Sequence, residues 1–93
     1  MVAVLIEFDL RGVERDTVLT RFREQSVPAM KSQPGFESGT WLAADGTGKG
    51  LSLTLWDTQA HAAAMHHRFN LGSNRLMAAS VVRLEFREVA ATA

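Results

Sequence analysis

Three histidines are the side chains of this sequence best suited to acid–base chemistry, and they lie in one alanine-rich segment. His61, His66 and His67 fall within a helix that the sequence predicts over residues 57–70. Adjacent helical residues point about 100° apart, so only one of His66 and His67 can face a sheet. An imidazole beside a pocket titrates in a useful pH range, which makes His66 or His67 a candidate catalytic base. The alternative is a solvated helix face.

A metal site on the same helix is not expected. His61 and His66 are five residues apart, whereas two helical histidines that share a metal are usually four apart. The chain contains no cysteine, which also excludes disulfides and thiolate nucleophiles. We therefore expect neither a metal nor another bound cofactor.

Five further side chains could surround a small ligand. Trp41 and Trp56 could line a cavity, although tryptophans more often fill a core or a dimer interface. Met65 and Phe69 stand four residues apart, which is typical of a helix core, and they could also form the apolar wall of a pocket. Arg83 could anchor a carboxylate or a phenolate, or could belong to a cross-strand charge set. We take these five residues as candidate substrate contacts.

The elements that must carry these residues follow the order strand, helix, strand, strand, helix, strand. Pro28 lies inside the first helix and should kink or divide it near residues 24–27, and Pro34-Gly35 should end it. The predicted ranges are strands over 2–9, 36–43, 50–56 and 81–89, helices over 13–32 and 57–70, and a short turn over 73–79. This order predicts an α+β fold, a ferredoxin-like β-α-β-β-α-β sandwich with a four-stranded antiparallel sheet.

Length and composition limit the class of protein. The 93 residues form a single domain, 1–93. Ten Lys and Arg balance ten Asp and Glu, and a protein without a basic surface is a poor nucleic-acid binder. No apolar run approaches the length of a membrane span, and the apolar start of the chain lacks the basic residues of a signal peptide. We therefore expect a cytoplasmic protein that binds neither nucleic acid nor membrane.

Alternation along the strands divides their side chains between two faces. One face is apolar and should pack beneath the two helices, and it comprises Val4, Ile6, Phe8, Leu51, Leu53, Leu55, Val82, Leu84 and Phe86. The opposite face is mixed and comprises Glu7, Ser52, Thr54, Trp56, Arg83, Glu85 and Arg87. Two copies packed through this open face would bring its acids near its arginines, and a twofold pair is the commonest oligomer. We therefore expect a homodimer through the open sheet face.

Short phrases around the predicted hairpin are similar to those of a known family. Pro-Gly-Phe-x-x-Gly at Pro34–Gly39, Trp41, and Leu-Trp-Asp at Leu55–Asp57 resemble the dimeric α+β barrel superfamily, and within it the antibiotic-biosynthesis-monooxygenase-like group. The resemblance covers nearly the whole chain. It implies the ferredoxin-like fold and relatives that include cofactor-independent oxygenases of aromatic polyketides or quinols.

That resemblance also implies site residues. A tryptophan, an asparagine and an arginine have been associated with the phenolic substrate in the oxygenase branch. The residues of those types here are Trp41 or Trp56, Asn70, and Arg68 or Arg83. Asn70 therefore joins His66 and His67 as a candidate catalytic residue, and Arg68 joins the candidate substrate contacts.

The haem-degrading branch of the same group is a poorer match. Its asparagine, tryptophan and histidine correspond by spacing to Glu7, Met65 and Arg75, and none of the three is the required type. His66 or His67 could still ligate a haem by a different geometry. Our leading hypothesis is a cofactor-independent monooxygenase of an aromatic phenol, quinol or polyketide-like molecule. The alternatives are a non-catalytic dimer that binds a small molecule or haem, and a structural or regulatory dimer without a ligand.

Overall fold

The computed structural model describes residues 1–43, 48–68, 75–76 and 79–93. Five strands form one sheet, in the spatial order β2-β3-β1-β5-β4. They span Val2–Asp9 (β1), Phe36–Leu42 (β2), Lys49–Trp56 (β3), Arg75–Leu76 (β4) and Ala79–Glu88 (β5). The helices span Arg15–Arg21 (α1), Val27–Lys31 (α2) and Gln59–Arg68 (α3), and a π-helical turn over Phe22–Ser26 joins α1 to α2.

The long strands have the connectivity expected of a ferredoxin-like α+β fold. β1 lies in the middle and pairs antiparallel with β3 on one side and β5 on the other. β2 pairs with β3 at one edge, and the two-residue β4 pairs with β5 at the other. The predicted four-stranded antiparallel sheet is therefore confirmed, with β4 as a short addition. Most of the turn predicted over 73–79 lies outside the described residues, as do residues 44–47 between β2 and β3.

A π-helical turn interrupts the first helical run close to Pro28. The run from α1 to α2 contains a π-helical turn that ends two residues before Pro28, the second residue of α2. Proline has no amide hydrogen, and its ring collides with the carbonyl four residues earlier in a regular α-helix. A wider turn at Phe22–Ser26 relieves that collision. The predicted disruption near residues 24–27 is confirmed.

The core lies between the helices and one face of the sheet. β1 alternates buried and half-buried residues along its whole length, and Val4, Ile6 and Phe8 are buried. From the helical layer, Val18, Phe22, Met30, Ala62 and Met65 join them in one cluster. Leu84 and Phe86 of β5 pack against its margin. The predicted helix-facing residues of β1 are therefore confirmed, and so are Leu84 and Phe86.

The predicted orientation of β3 is wrong. Thr54 pairs with Val4, and residues paired across an antiparallel ladder share a face, so Thr54 faces the helices. Ser52, Thr54 and Trp56 are buried there, whereas Leu51, Leu53 and Leu55 lie on the open face. The cause is the large indole of Trp56, which fills the core at zero exposure. Alternation reveals that a strand has two faces and leaves open which one the helices cover.

The predicted position of Val82 is also wrong. The pairing of β1 with β5 shifts between Glu7 and Phe8, so that Phe8 pairs with Val81. This irregularity puts Val81 in the core and leaves Val82 48% exposed. A bulge of this kind changes which side chains face inward, and strict alternation cannot anticipate it.

No helix within the described parts of the chain is long and apolar enough to cross a membrane.

Candidate functional site

Helix α3 carries most of the candidate side chains, and its start is fixed by the residues before it. The Thr58 hydroxyl accepts a hydrogen bond from the His61 amide at 3.1 Å, which satisfies one of the unpaired donors of the first turn. Ala62 and Met65 are buried against the sheet. At about 100° per residue, His61 and His66 lie on opposite margins of this buried stripe, about 140° apart.

The two adjacent histidines have different environments. His66 is half-buried, and its ring meets Phe86 of β5 edge-on, with ring centroids 5.7 Å apart and an interplanar angle of 88°. His67 is exposed. Of this pair, His66 is the one held between α3 and the sheet. Asn70, the third candidate catalytic residue, lies outside the described residues, as does Phe69.

The two tryptophans both belong to the helix-facing side of the sheet. Trp56 is fully buried, donates its indole hydrogen to the Thr54 hydroxyl at 2.9 Å, and meets Phe36 edge-on at 5.5 Å. Trp41 pairs with Ser52 and is packed against the margin of the core. Trp56 is therefore a core residue with its polar atom satisfied, and Trp41 is the tryptophan with exposed surface.

Arg83 lies on the opposite side of the sheet from His66. It pairs with Glu7 on the open face and donates to the Glu85 carboxylate at 2.8 Å, while Arg87 donates to the other Glu85 oxygen at 3.0 Å. The Arg83 hydrogen bond lowers the pKa of Glu85. Leu5 and Leu51 complete an open depression of about 130 Å³ with Glu7, Arg83 and Glu85. The structure thus separates Arg83 from the other candidates.

One pair of functional groups was not among the predicted site residues. The Nδ1 atom of His61 lies 2.6 Å from the Asp57 carboxylate, one helical turn away. This hydrogen bond lowers the pKa of Asp57. The sequence signal was available, because an aspartate beside a helix start and a histidine four residues later lie on one helix face.

A small hollow adjoins this pair. It has a volume of about 80 Å³ and lies between α3 and the turn that joins α2 to β2. Its lining comprises Gln33, Pro34, His61, Ala64, Met65 and Arg68. Two of the predicted substrate contacts, Met65 and Arg68, therefore border this hollow, although Met65 itself is almost completely buried.

Within the described residues, no group of three or more histidine or acidic side chains is arranged to hold a metal ion. The Asp57–His61 pair is the acid–imidazole contact that the structure does show, and two ligands are fewer than a structural or catalytic zinc requires.

Comparison with known proteins gives one family and two structural neighbours. The model of the antibiotic biosynthesis monooxygenase family matches residues 1–68. No curated protein sequence matches the chain significantly. A point variant of MhuD, with two manganese protoporphyrin IX groups bound per active site, superimposes with a TM-score of 0.68 at 20% identity, covering 100% of this chain and 98% of that one.

The second neighbour is a candidate monooxygenase from Shewanella loihica PV-4. It superimposes with a TM-score of 0.66 at 14% sequence identity, covering 98% of this chain and 96% of that chain. At these identities the two neighbours establish a shared fold over nearly the full length of each chain.

Proposed function

This chain belongs to the antibiotic biosynthesis monooxygenase family, and from that premise we propose that it is a cofactor-independent monooxygenase of an aromatic phenol or quinol. The observation that carries the proposal is the position of His66, half-buried between α3 and the sheet and held against Phe86. A general base works best where it is partly withdrawn from water and fixed in one orientation.

The chemistry assigned to this site needs a proton acceptor and a dry environment. His66 would accept the phenolic proton, and dioxygen would then add to a hydrogen-bearing ring carbon ortho or para to the phenolate oxygen. The C–H bond of that carbon and the O–O bond then break. One oxygen atom enters the product as a carbonyl, the other leaves as water, and the substrate supplies the electrons. Phe86 contacts the His66 ring, and the neighbouring residue Met65 is buried; such apolar surroundings support a carbanion better than an aqueous surface does.

Trp41 lies on the helix-facing side of the sheet and keeps part of its surface exposed. Its strand, β2, is separated from β5, the strand of Phe86, by β3 and β1. We therefore do not assign Trp41 a contact with a substrate held at His66. Trp56 is fully occupied by core contacts.

The described residues do not fit a haem. The imidazole that faces the sheet, His66, has Phe86 against its ring. The hollow along the other margin of α3 measures about 80 Å³, whereas pockets for drug-sized ligands measure about 300–1,000 Å³. We therefore assign no step of the reaction to a haem.

We also propose that two copies of the chain pair through the open sheet face. The reversed β3 makes this face more apolar than the sequence indicated, because Leu42 and Leu53 are 49% and 38% exposed on it. Glu85 and Arg83 form an ion pair on the same face, and a twofold axis would offer each acid a second arginine. Self-complementary surfaces of this kind are typical of homodimers.

Oxygen consumption tests the proposed reaction. An oxygen electrode would follow the wild type with anthrone and with a naphthoquinol, and intrinsic fluorescence of the two tryptophans would report binding. We expect His66→Ala to lower kcat about a hundredfold or more while the binding curve stays unchanged. The same change at exposed His67 is the matched control. Saturable quenching without oxygen uptake would instead assign a non-catalytic binder, and full activity of His66→Ala would exclude this base.

A further inference from the structure

The Asp57–His61 pair has the geometry of an oriented base. At neutral pH Asp57 is ionised, since its hydrogen bond to His61 lowers its pKa. An ionised carboxylate 2.6 Å from Nδ1 accepts the hydrogen of that nitrogen. In neutral imidazole this leaves Nε2 with a free lone pair, so the ring presents a hydrogen-bond acceptor at its far end.

The pair is held in place by the turn that precedes β2. Gly35 adopts a φ of +83°, and a β-carbon there would lie 2.5 Å from Nδ1 of His61 and would also overlap the Asp57 carboxylate. The Asp57 amide donates to the Gly35 carbonyl at 2.9 Å. The backbone of this turn therefore packs directly on the carboxylate and the imidazole, which limits how far either can rotate.

The hollow beside His61 combines this acceptor with a cation and apolar walls. Arg68 lines it from the last turn of α3, and Pro34 and Ala64 provide apolar surface. At about 30 Å³ per water molecule, a volume of about 80 Å³ admits the polar edge of one ring. It does not admit a whole polycyclic molecule.

The hollow is separate from the site proposed for oxygenation. His61 lies on the margin of α3 that faces Gln33 and Pro34, whereas His66 lies on the margin that faces Phe86. With about 140° between the two side chains, one small ligand cannot contact both imidazoles.

We propose that this hollow is a binding site for a monocyclic aromatic molecule that carries both a hydroxyl and a carboxylate group. The hydroxyl donates its hydrogen to Nε2 of His61, the carboxylate pairs with the Arg68 guanidinium, and the ring lies against Pro34 and Ala64. Tight binding needs a ligand with both groups. A ligand that carries only a hydroxyl leaves Arg68 without an anion, and a ligand that carries only a carboxylate has no hydrogen to donate to the lone pair of Nε2.

Nuclear magnetic resonance of the full chain with labelled histidine rings tests this assignment. The probe is meta-hydroxybenzoate, whose two groups are too far apart to bond to each other. We expect a saturable shift of the His61 ring signals, with benzoate and phenol each binding about tenfold or more weakly. Binding to the variants is followed by the signals of the probe itself, because His61→Gln lacks the reporting ring. His61→Gln, which loses a hydrogen bond, and Arg68→Gln, which loses an ion pair, should each weaken binding by about tenfold or more, while the exposed control His67→Gln should not change it.

Benzoate binding as tightly as the probe would overturn the role of His61, and unchanged binding to Arg68→Gln would overturn the role of the guanidinium. The absence of any saturable shift in correctly folded wild type would overturn the site itself. Circular dichroism of each variant checks its fold. Since the readout is binding at His61 and not oxygen uptake, the result is independent of the monooxygenase proposal.

Discussion

Replacing Gly35 by alanine tests how closely the α2–β2 turn packs on the Asp57–His61 pair. A left-handed φ costs a non-glycine residue about 1–2 kcal/mol, and the lower entropy of the unfolded alanine chain offsets about 0.4–1 kcal/mol of that. The new β-carbon must also displace the imidazole, whose Nδ1 and Cβ atoms would lie 2.5 and 2.6 Å away. Overpacking of this kind costs about 1–3 kcal/mol.

We therefore expect Gly35→Ala to lower the free energy of unfolding by about 2–4 kcal/mol. For a domain of this size, about 4–8 °C of Tm accompanies each kcal/mol, so a loss of roughly 8–30 °C should appear in thermal unfolding followed by circular dichroism. The same substitution should raise the pKa of Asp57 towards its ordinary value, since the His61 hydrogen bond that lowers it is displaced.

Gly12 provides a matched control in the same chain. Its φ is +79°, close to that of Gly35, and a β-carbon there would meet no heavy atom within 4 Å. Gly12→Ala should therefore show the backbone cost alone, about 1 kcal/mol or less. Equal losses of Tm for the two variants would refute the close packing on the imidazole, as would an unchanged pKa of Asp57 in Gly35→Ala.

Three further predictions follow from single contacts. Leu53→Glu places a charge at the centre of the leucine-rich open face, so light scattering should show a dimer for the wild type and a monomer for the variant. Thr54→Val removes the acceptor of the buried Trp56 indole, so the free energy of unfolding should fall by about 1–3 kcal/mol, measured by urea unfolding. The hydrogen bond from Arg11 lowers the pKa of Asp9 from 3.8 to about 2. Ionised Asp9 therefore stabilises the fold at a pH above 3.8, and this contribution disappears as the pH falls towards 2. Asp9→Asn should therefore flatten the dependence of Tm on pH between about 4 and 2.

Each of these predictions has an exposed counterpart in the chain. Thr20→Glu on the first helix should leave the mass in solution unchanged, Thr40→Val on the open face should alter stability little, and Asp16→Asn should keep the acid dependence of the wild type. A monomeric wild type at micromolar concentration would contradict the open-face dimer. Equal effects of the two valine substitutions would contradict a specific bond to the indole, and an unaltered acid profile of Asp9→Asn would contradict the role of its ion pair with Arg11.

Much of the fold could be predicted because single residues mark where a helix begins, ends or is disrupted. Pro28 marked the disrupted turn and Pro34-Gly35 the end of the helical run, while Asp57 and Thr58, either of which can cap a helix, precede α3, and Thr58 is the one that caps it. These residues act through their own backbone geometry or through a bond to a near neighbour. A short window of sequence therefore contains the relevant interaction.

The orientation of β3 could not be predicted in the same way. Its two faces carry Leu51, Leu53 and Leu55 on one side and Ser52, Thr54 and Trp56 on the other, and either set can be buried. The three leucines appear more hydrophobic in sum, yet the single indole finds a hydrogen-bond acceptor in Thr54 and a cavity beneath the helices. That outcome depends on the shape of the space under α3, which no local pattern encodes.

The site was harder to predict than the fold because its neighbours come from distant parts of the chain. The sequence leaves open which of His66 and His67 faces the sheet, and the contact that distinguishes them, between His66 and Phe86, joins α3 to the last strand. The spacing of the histidines among themselves does not indicate the Asp57–His61 pair, whose partner is an acid that precedes the helix. The hollow at that pair requires the close approach of Gly35, a tertiary contact.

The π-helical turn at Phe22–Ser26 also determines which side chains of the first helical run reach the core. Val18 and Met30 are twelve residues apart, which in a regular α-helix would separate them by about 120° around the axis. Both are buried in the same cluster. The wider turn accommodates about one additional residue, and this brings Met30 back to within roughly 20° of Val18. The turn thus adds one residue to the helical run without rotating the residues that follow it, so it makes room for the proline and keeps the apolar stripe continuous.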